Sequence, residues 1–82
     1  MLRKKENKNE DIAFQREFGE YIKRARETQH LYQQQVAEQL GITQQYYSHI
    51  ENGTRNVDFV VAVKICNVLN LNVNEFIARY IK

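Results

Sequence analysis

The sequence predicts an all-α fold of five short helices, on three observations. Proline is absent and glycine occurs only three times in 82 residues, too few turn formers for a β-rich domain of this length. Apolar residues recur at spacings of three and four along most of the chain after residue 11, the period of helices that bury one face. Capping residues stand where those stripes begin and end: Thr43 and Asp58 at starts, Gly41 and Asn70 at stops.

The elements follow in order. Residues 1–11, opening with "MLRKKENKNE", are charged without periodicity and read as a flexible solvated tail; the sharper alternative is a basic arm lying along a nucleic-acid backbone. Residues 12–82 form the domain. Phe14, Phe18, Ile22 and Ala25 make one stripe, predicting helix 1 over 12–28 with Asn9 or Asp11 as its cap. Val36, Ala37 and Leu40 give a short helix over 33–40 that stops at Gly41. Thr43 opens a helix over 44–51 that buries Tyr47 and Ile50 and closes at "ENG". Asp58 caps "FVVAVKICNVL", whose stripe is Phe59, Ala62, Val63, Cys66 and Leu69. Val60, Val61, Ile65 and Val68 cover much of its remainder. This fourth helix is therefore expected to be buried nearly all round, within the domain or partly against another subunit. Asn72 and Glu75 resemble a capping box for a fifth helix over 73–81, with Val73, Phe76, Ile77, Tyr80 and Ile81 on one face.

Composition bounds the partners only loosely. The net charge is +2, and the small basic excess lies in residues 1–31, with eight Lys and Arg against six Asp and Glu. A single cysteine permits no internal disulfide and fits a reducing cytoplasm. No apolar run has membrane-spanning length, and the charged N-terminus lacks the apolar core of a signal peptide. A cytoplasmic protein with no membrane partner is expected, too short to hold a second, ligand-sensing domain.

The informative unit is helix 2, a turn holding Gly41, and helix 3. Only a three- or four-residue turn fits between Leu40 and the third helix, and Ile42 plugs the space between the two. That is the helix-turn-helix arrangement, in which the second helix enters the major groove. On a helical wheel Tyr47 and Ile50 define the buried side of helix 3. Gln45, Ser48, His49 and Asn52 point away from it, and Gln44 is exposed at the N-terminal edge. Gln44, Gln45, Ser48 and His49 thus form the expected reading face on double-stranded DNA. It carries no Lys or Arg, which suits base recognition: glutamine pairs with adenine by hydrogen-bond pattern rather than charge.

Here the stretch "QQQVAEQLGITQQYYSHIENGTRN" resembles the helix-turn-helix of the Cro and phage-repressor type, also called the xenobiotic-response-element (XRE) family. The matching positions are Gln33, Val36-Ala37, Leu40-Gly41, Ile42-Thr43, Gln44 to His49, Ile50-Glu51-Asn52-Gly53 and Arg55-Asn56. The resemblance extends from about Phe18 to Ile77 and implies a compact five-helix, lambda-repressor-like DNA-binding domain. It implies that Gln33 holds a phosphate and braces Gln44, and that Gln44, Gln45 and His49 face base edges. Thr43, Ser48, Asn52 and Arg55 would lie near the DNA backbone. Arg26 and Glu51 match a buried structural salt bridge of phage repressors. Three positions depart from the pattern: Tyr32 replaces the Ser or Thr cap of helix 2, Tyr47 replaces an aliphatic core residue, and Val57 replaces the proline before helix 4.

Catalysis has little support. Cys66 lies on the apolar stripe of helix 4, His30 and His49 lack metal-ligand spacing, and no glycine-rich phosphate loop occurs. No enzyme activity, metal or cofactor is expected. The expected function is a sequence-specific transcriptional regulator, a repressor binding a near-palindromic operator as a homodimer, with Tyr80 and Ile81 offered as part of the dimer surface. An antitoxin-like or adaptor module whose main partner is another protein remains as the alternative.

Overall fold

The computed structural model describes the backbone of residues 8–81 and the side chains of residues 12–80. The described residues form five helices, α1 (Lys8–Thr28), α2 (Gln33–Leu40), α3 (Gln44–Glu51), α4 (Phe59–Val68) and α5 (Val73–Ile81). The all-α prediction holds, and α2, α3 and α5 span the residues their stripes and caps indicated. Helix α1 extends further back than expected: Lys8 to Asp11 are helical, so Asn9 and Asp11 lie within the helix rather than ahead of it. Those residues add no apolar stripe, which hid them from periodicity. The rest of the expected tail, residues 1–7, lies outside the described residues.

The first four helices end alike. In each, an amide two or three residues past the helix donates back five positions: Leu31 to Arg26 O (3.1 Å), Ile42 to Ala37 O (3.1 Å), Thr54 to His49 O (3.0 Å) and Leu71 to Cys66 O (2.7 Å). The residue before each donor is left-handed, with φ 60° at His30, 74° at Gly41, 75° at Gly53 and 59° at Asn70. This closure satisfies carbonyls that a helix end leaves unpaired. It also turns Leu31, Ile42 and Leu71 back against the core. Asn70 does the work of glycine, as expected; His30 does the same at a cost of about 1–2 kcal/mol for an L-residue.

The helix starts are also satisfied. Thr43 Oγ1 accepts from Tyr46 N (3.0 Å), Asp58 Oδ1 from Val61 N (2.9 Å) and Asn72 Oδ1 from Asn74 N (2.9 Å). Tyr32 makes no side-chain cap on α2. Instead the Gln35 side chain reaches back and accepts the Tyr32 N–H at 2.7 Å, so half of a capping box replaces the missing Ser or Thr.

The core gathers Phe18, Ile22, Val36, Ala37, Tyr47, Ile50, Ala62, Ile65, Cys66, Leu69 and Phe76, with Val57 buried from the loop before α4. Helix α1 packs on α3 and α5, and α2 packs on α3 and α4. Gly19 lets α1 lie against the end of α3: a Cβ there would sit 2.6 Å from the Ile50 carbonyl oxygen and nearer still to that of Glu51. Phe14, Phe18, Tyr21, Phe76 and Tyr80 form an aromatic cluster joining α1 to α5. Tyr80, offered above as dimer surface, is half-buried in this cluster; the Ile81 side chain lies outside the described residues.

Helix α4 is buried within the domain on one side only. Ala62, Ile65, Cys66 and the following Leu69 are buried, but Phe59 is 66% and Val60 60% exposed. Neighbouring helices cover α4 on one side, where it meets α2 and α5. Phe59, Val60 and the half-buried Val63 share the other side by helical spacing.

Candidate nucleic-acid interface

Helix α3 is held from behind by a charged pair in an otherwise apolar setting. Arg26 Nε donates to Glu51 Oε2 (2.7 Å) and Arg26 Nη2 to Glu51 Oε1 (3.1 Å), a two-bond fork. Arg26 Nη1 also donates to the Leu31 carbonyl at 2.7 Å. The Glu51 side chain has no exposed surface and that of Arg26 is 11% exposed. The guanidinium therefore clamps the last residue of α3, the end of α1 and the turn entering α2. Gln33 Nε2 adds a third donor to Glu51, at 3.0 Å. Burial alone would raise the Glu51 carboxyl, but hydrogen bonds from Arg26 and Gln33 outweigh it and hold the group below the usual carboxylate range. The same bond to Glu51 raises the Arg26 guanidinium.

Tyr47 lies beside this pair, fully buried. Its hydroxyl is buried without a hydrogen bond of good geometry. Burial, and then the neighbouring Glu51 charge, push the phenol far above its ordinary value. The sequence departure at this position thus leaves a polar atom in the core.

With Tyr47 and Ile50 buried, α3 turns its other face outward. Gln33, Gln44, Gln45, Ser48 and His49 line one open cleft of about 370 Å³. Five of the eight residues expected to meet DNA are therefore brought together. Gln33 and Gln44 share the cleft, but no bond joins them among the described residues; the Gln33 amide nitrogen is engaged by Glu51. Thr43 and Asn52 stand exposed at the two ends of α3, as its N- and C-caps. Arg55 is exposed in the loop beyond, its guanidinium 5.1 Å over the Tyr46 ring. That stack fixes the first cation after α3 against α3 itself. Thr54, just before it, contacts both the ring and the carbonyl of His49.

Residues 27–54, which hold α2 and α3, contain no Lys or Arg. The cleft offers amides, a hydroxyl and an imidazole, groups that sort partners by hydrogen-bond pattern. A larger open cleft of about 710 Å³ runs along α1 and the α4–α5 turn, but no expected site residue lines it. Its Glu20 and Arg24 pair with each other at 3.1 Å, and Arg79 covers Tyr21. Two features of the interface were not expected from the sequence. Gly19 carried no local signal of its packing role, and Thr54 sat outside the helix whose face it touches.

Comparison with known proteins bears on the family and the fold. Residues 22–76 match the helix-turn-helix family. The control protein C.MunI of a Mycoplasma species is 41% identical over 59 residues, 71% of this chain and 80% of that protein. The HTH-type transcriptional regulator YqaE of Bacillus subtilis (strain 168) is 35% identical over 57 residues; the match covers 70% of this chain and only 49% of that longer protein. The crystal structure of the restriction-modification controller protein C.AhdI from Aeromonas hydrophila superposes with a TM-score of 0.71 at 28% identity, over 77% of this chain and 96% of that one. With the motif, the five-helix architecture and these likenesses in agreement, the chain belongs to the XRE-type helix-turn-helix family.

Proposed function

We propose that the protein is a sequence-specific DNA-binding transcriptional regulator that reads the major groove with α3. The observation that carries this reading is the cleft, which gathers Gln33, Gln44, Gln45, Ser48 and His49 on the outward face of α3. Gln44 and Gln45 present paired donors and acceptors that match adenine, and His49 adds a third base-facing group. Thr43, Ser48, Asn52 and Arg55 border that face and are assigned to the sugar-phosphate backbone. The amides at the α3 N-terminus favour a phosphate in the same place. Relatives described as control or regulator proteins support the regulatory assignment, and repression by occlusion of a promoter is the mode we assign. A cytoplasmic location fits a DNA partner, and among the described residues no helix is long and apolar enough to cross a membrane.

The same reading includes a homodimer on a near-palindromic operator, with half-sites about one helical turn (~10 bp) apart. Phe59 and Val60, two large apolar side chains left exposed on α4, support that pairing, since a second copy would cover them. A protein partner of another kind is the competing occupant of this patch. Sedimentation of the free chain separates the two, since self-association abolished by Phe59→Asp supports the homodimer and a monomeric wild type opposes it. The DNA reading is tested by fluorescence anisotropy with random duplex at low salt. Saturable binding supports it, and a folded protein that binds no duplex refutes it.

A further inference from the structure

His49 and Thr54 form a closed two-bond unit at the C-terminal end of α3. Thr54 Oγ1 lies 3.2 Å from the His49 carbonyl oxygen and 3.3 Å from His49 Nδ1. A threonine hydroxyl has one proton to give and lone pairs with which to accept. The carbonyl oxygen can only accept, so this contact takes the hydroxyl proton. With the hydroxyl proton placed on the carbonyl, the other contact takes its proton from the ring, as Nδ1–H donating to Thr54 Oγ1. A neutral imidazole protonated at Nδ1 leaves Nε2 as a bare acceptor. The backbone itself delivers Thr54 to this place: left-handed Gly53 folds the chain back, and Thr54 N–H donates to the same His49 carbonyl at 3.0 Å.

We propose that Thr54 is a positioning residue for base recognition, fixing His49 in the Nδ1–H tautomer so that its Nε2 meets DNA as an acceptor. The proposal rests on the reading that α3 enters the major groove. Glutamine amides carry a donor and an acceptor together, whereas His49 held this way carries only an acceptor. It would match the exocyclic amino groups of adenine or cytosine and be mismatched to guanine O6/N7 or thymine O4. Without the Thr54 hydroxyl, the ring is free to protonate at Nε2 and present a donor instead. A residue outside the recognition helix thereby sets the sign of one hydrogen bond on its face.

The tautomer is read in the free protein from long-range proton–nitrogen NMR spectra, at a pH where the ring is neutral. Wild type should show a protonated Nδ1 and a bare Nε2. Thr54→Val should exchange the two, and Thr54→Ser should keep the wild-type pattern. A wild-type ring protonated at Nε2 overturns the proposal. Site selection from a random duplex pool then tests the consequence. Thr54→Val should shift preference at one position of each half-site from adenine or cytosine toward guanine or thymine, by about 5- to 100-fold. Preference elsewhere should be unchanged, and Thr54→Ser should select as wild type does. Uniform weakening, or an unchanged profile, overturns the specificity role. A folded protein that binds no duplex removes the major-groove reading and that role together, while the ring spectrum still decides the tautomer.

Discussion

Truncating Arg26 to alanine should come close to unfolding the protein. The substitution removes two hydrogen bonds to Glu51, of 2.7 and 3.1 Å, and one of 2.7 Å to the Leu31 carbonyl. It leaves a carboxylate with no exposed surface and Gln33 as its one remaining donor of good geometry. Breaking a buried pair from one side costs about 3–5 kcal/mol, because the surviving charge has neither water nor a counter-ion. A domain of 82 residues has about 4–12 kcal/mol of stability in total. At about 4–8 °C per kcal/mol for this size, Arg26→Ala should lower Tm by about 12–40 °C in thermal unfolding followed by circular dichroism. Removing both charges should cost far less: Arg26→Met with Glu51→Leu deletes the buried ions together and should recover most of the loss. A fall in Tm below about 4 °C for Arg26→Ala would refute the reasoning, as would a double variant no better than the single one.

Three further outcomes follow from the same contacts. Because the folded Glu51 carboxyl lies below its ordinary value, its contribution to stability is intact above that value, about 4.5, and disappears as pH falls through the folded one. The stability gap between wild type and Glu51→Gln, measured by urea unfolding, should therefore narrow from pH 5 to pH 3; a constant gap contradicts this. Gly19→Ala pushes a methyl group into the Ile50 and Glu51 carbonyls and should cost about 3 kcal/mol in urea unfolding, at the top of the overpacking range. A loss under about 1 kcal/mol would mean that α1 yields freely. Tyr47→Phe deletes a buried hydroxyl that lacks a hydrogen bond of good geometry, so stability should be unchanged or rise by up to about 1 kcal/mol. A loss above about 1.5 kcal/mol would show that the hydroxyl bonds to Glu51.

The parts of the fold legible in the sequence are those written in local chemistry. Gly41, Asn70, Thr43 and Asp58 mark helix ends because each satisfies backbone groups within a few positions of itself. The outward face of α3 was legible for the same reason: burying Tyr47 and Ile50 on a rigid wheel leaves the glutamines outside. The Arg26–Glu51 pair spans 25 positions and followed from family resemblance, not from spacing. Gly19 faces backbone more than thirty positions away, and nothing in its neighbourhood signals that contact. For helix α4, periodicity measured how apolar each face is but not what covers it: the domain buries one side, and Phe59 and Val60 on the other are left for a partner to cover. His30 takes a left-handed position usually given to glycine, a choice that residue type alone does not announce.

The direct test of an uncharged reading helix is the base-preference profile of Gln45→Ala against wild type, measured on the preferred site and all its single-base variants. If Gln45 reads a base edge, the substitution should flatten preference at one position of each half-site, by about 1–3 kcal/mol, and leave affinity for random duplex nearly unchanged. Arg55→Ala on the same panel should instead weaken every sequence alike and lower the salt slope by about one unit. A Gln45→Ala protein that loses affinity equally for every sequence would contradict base reading by α3.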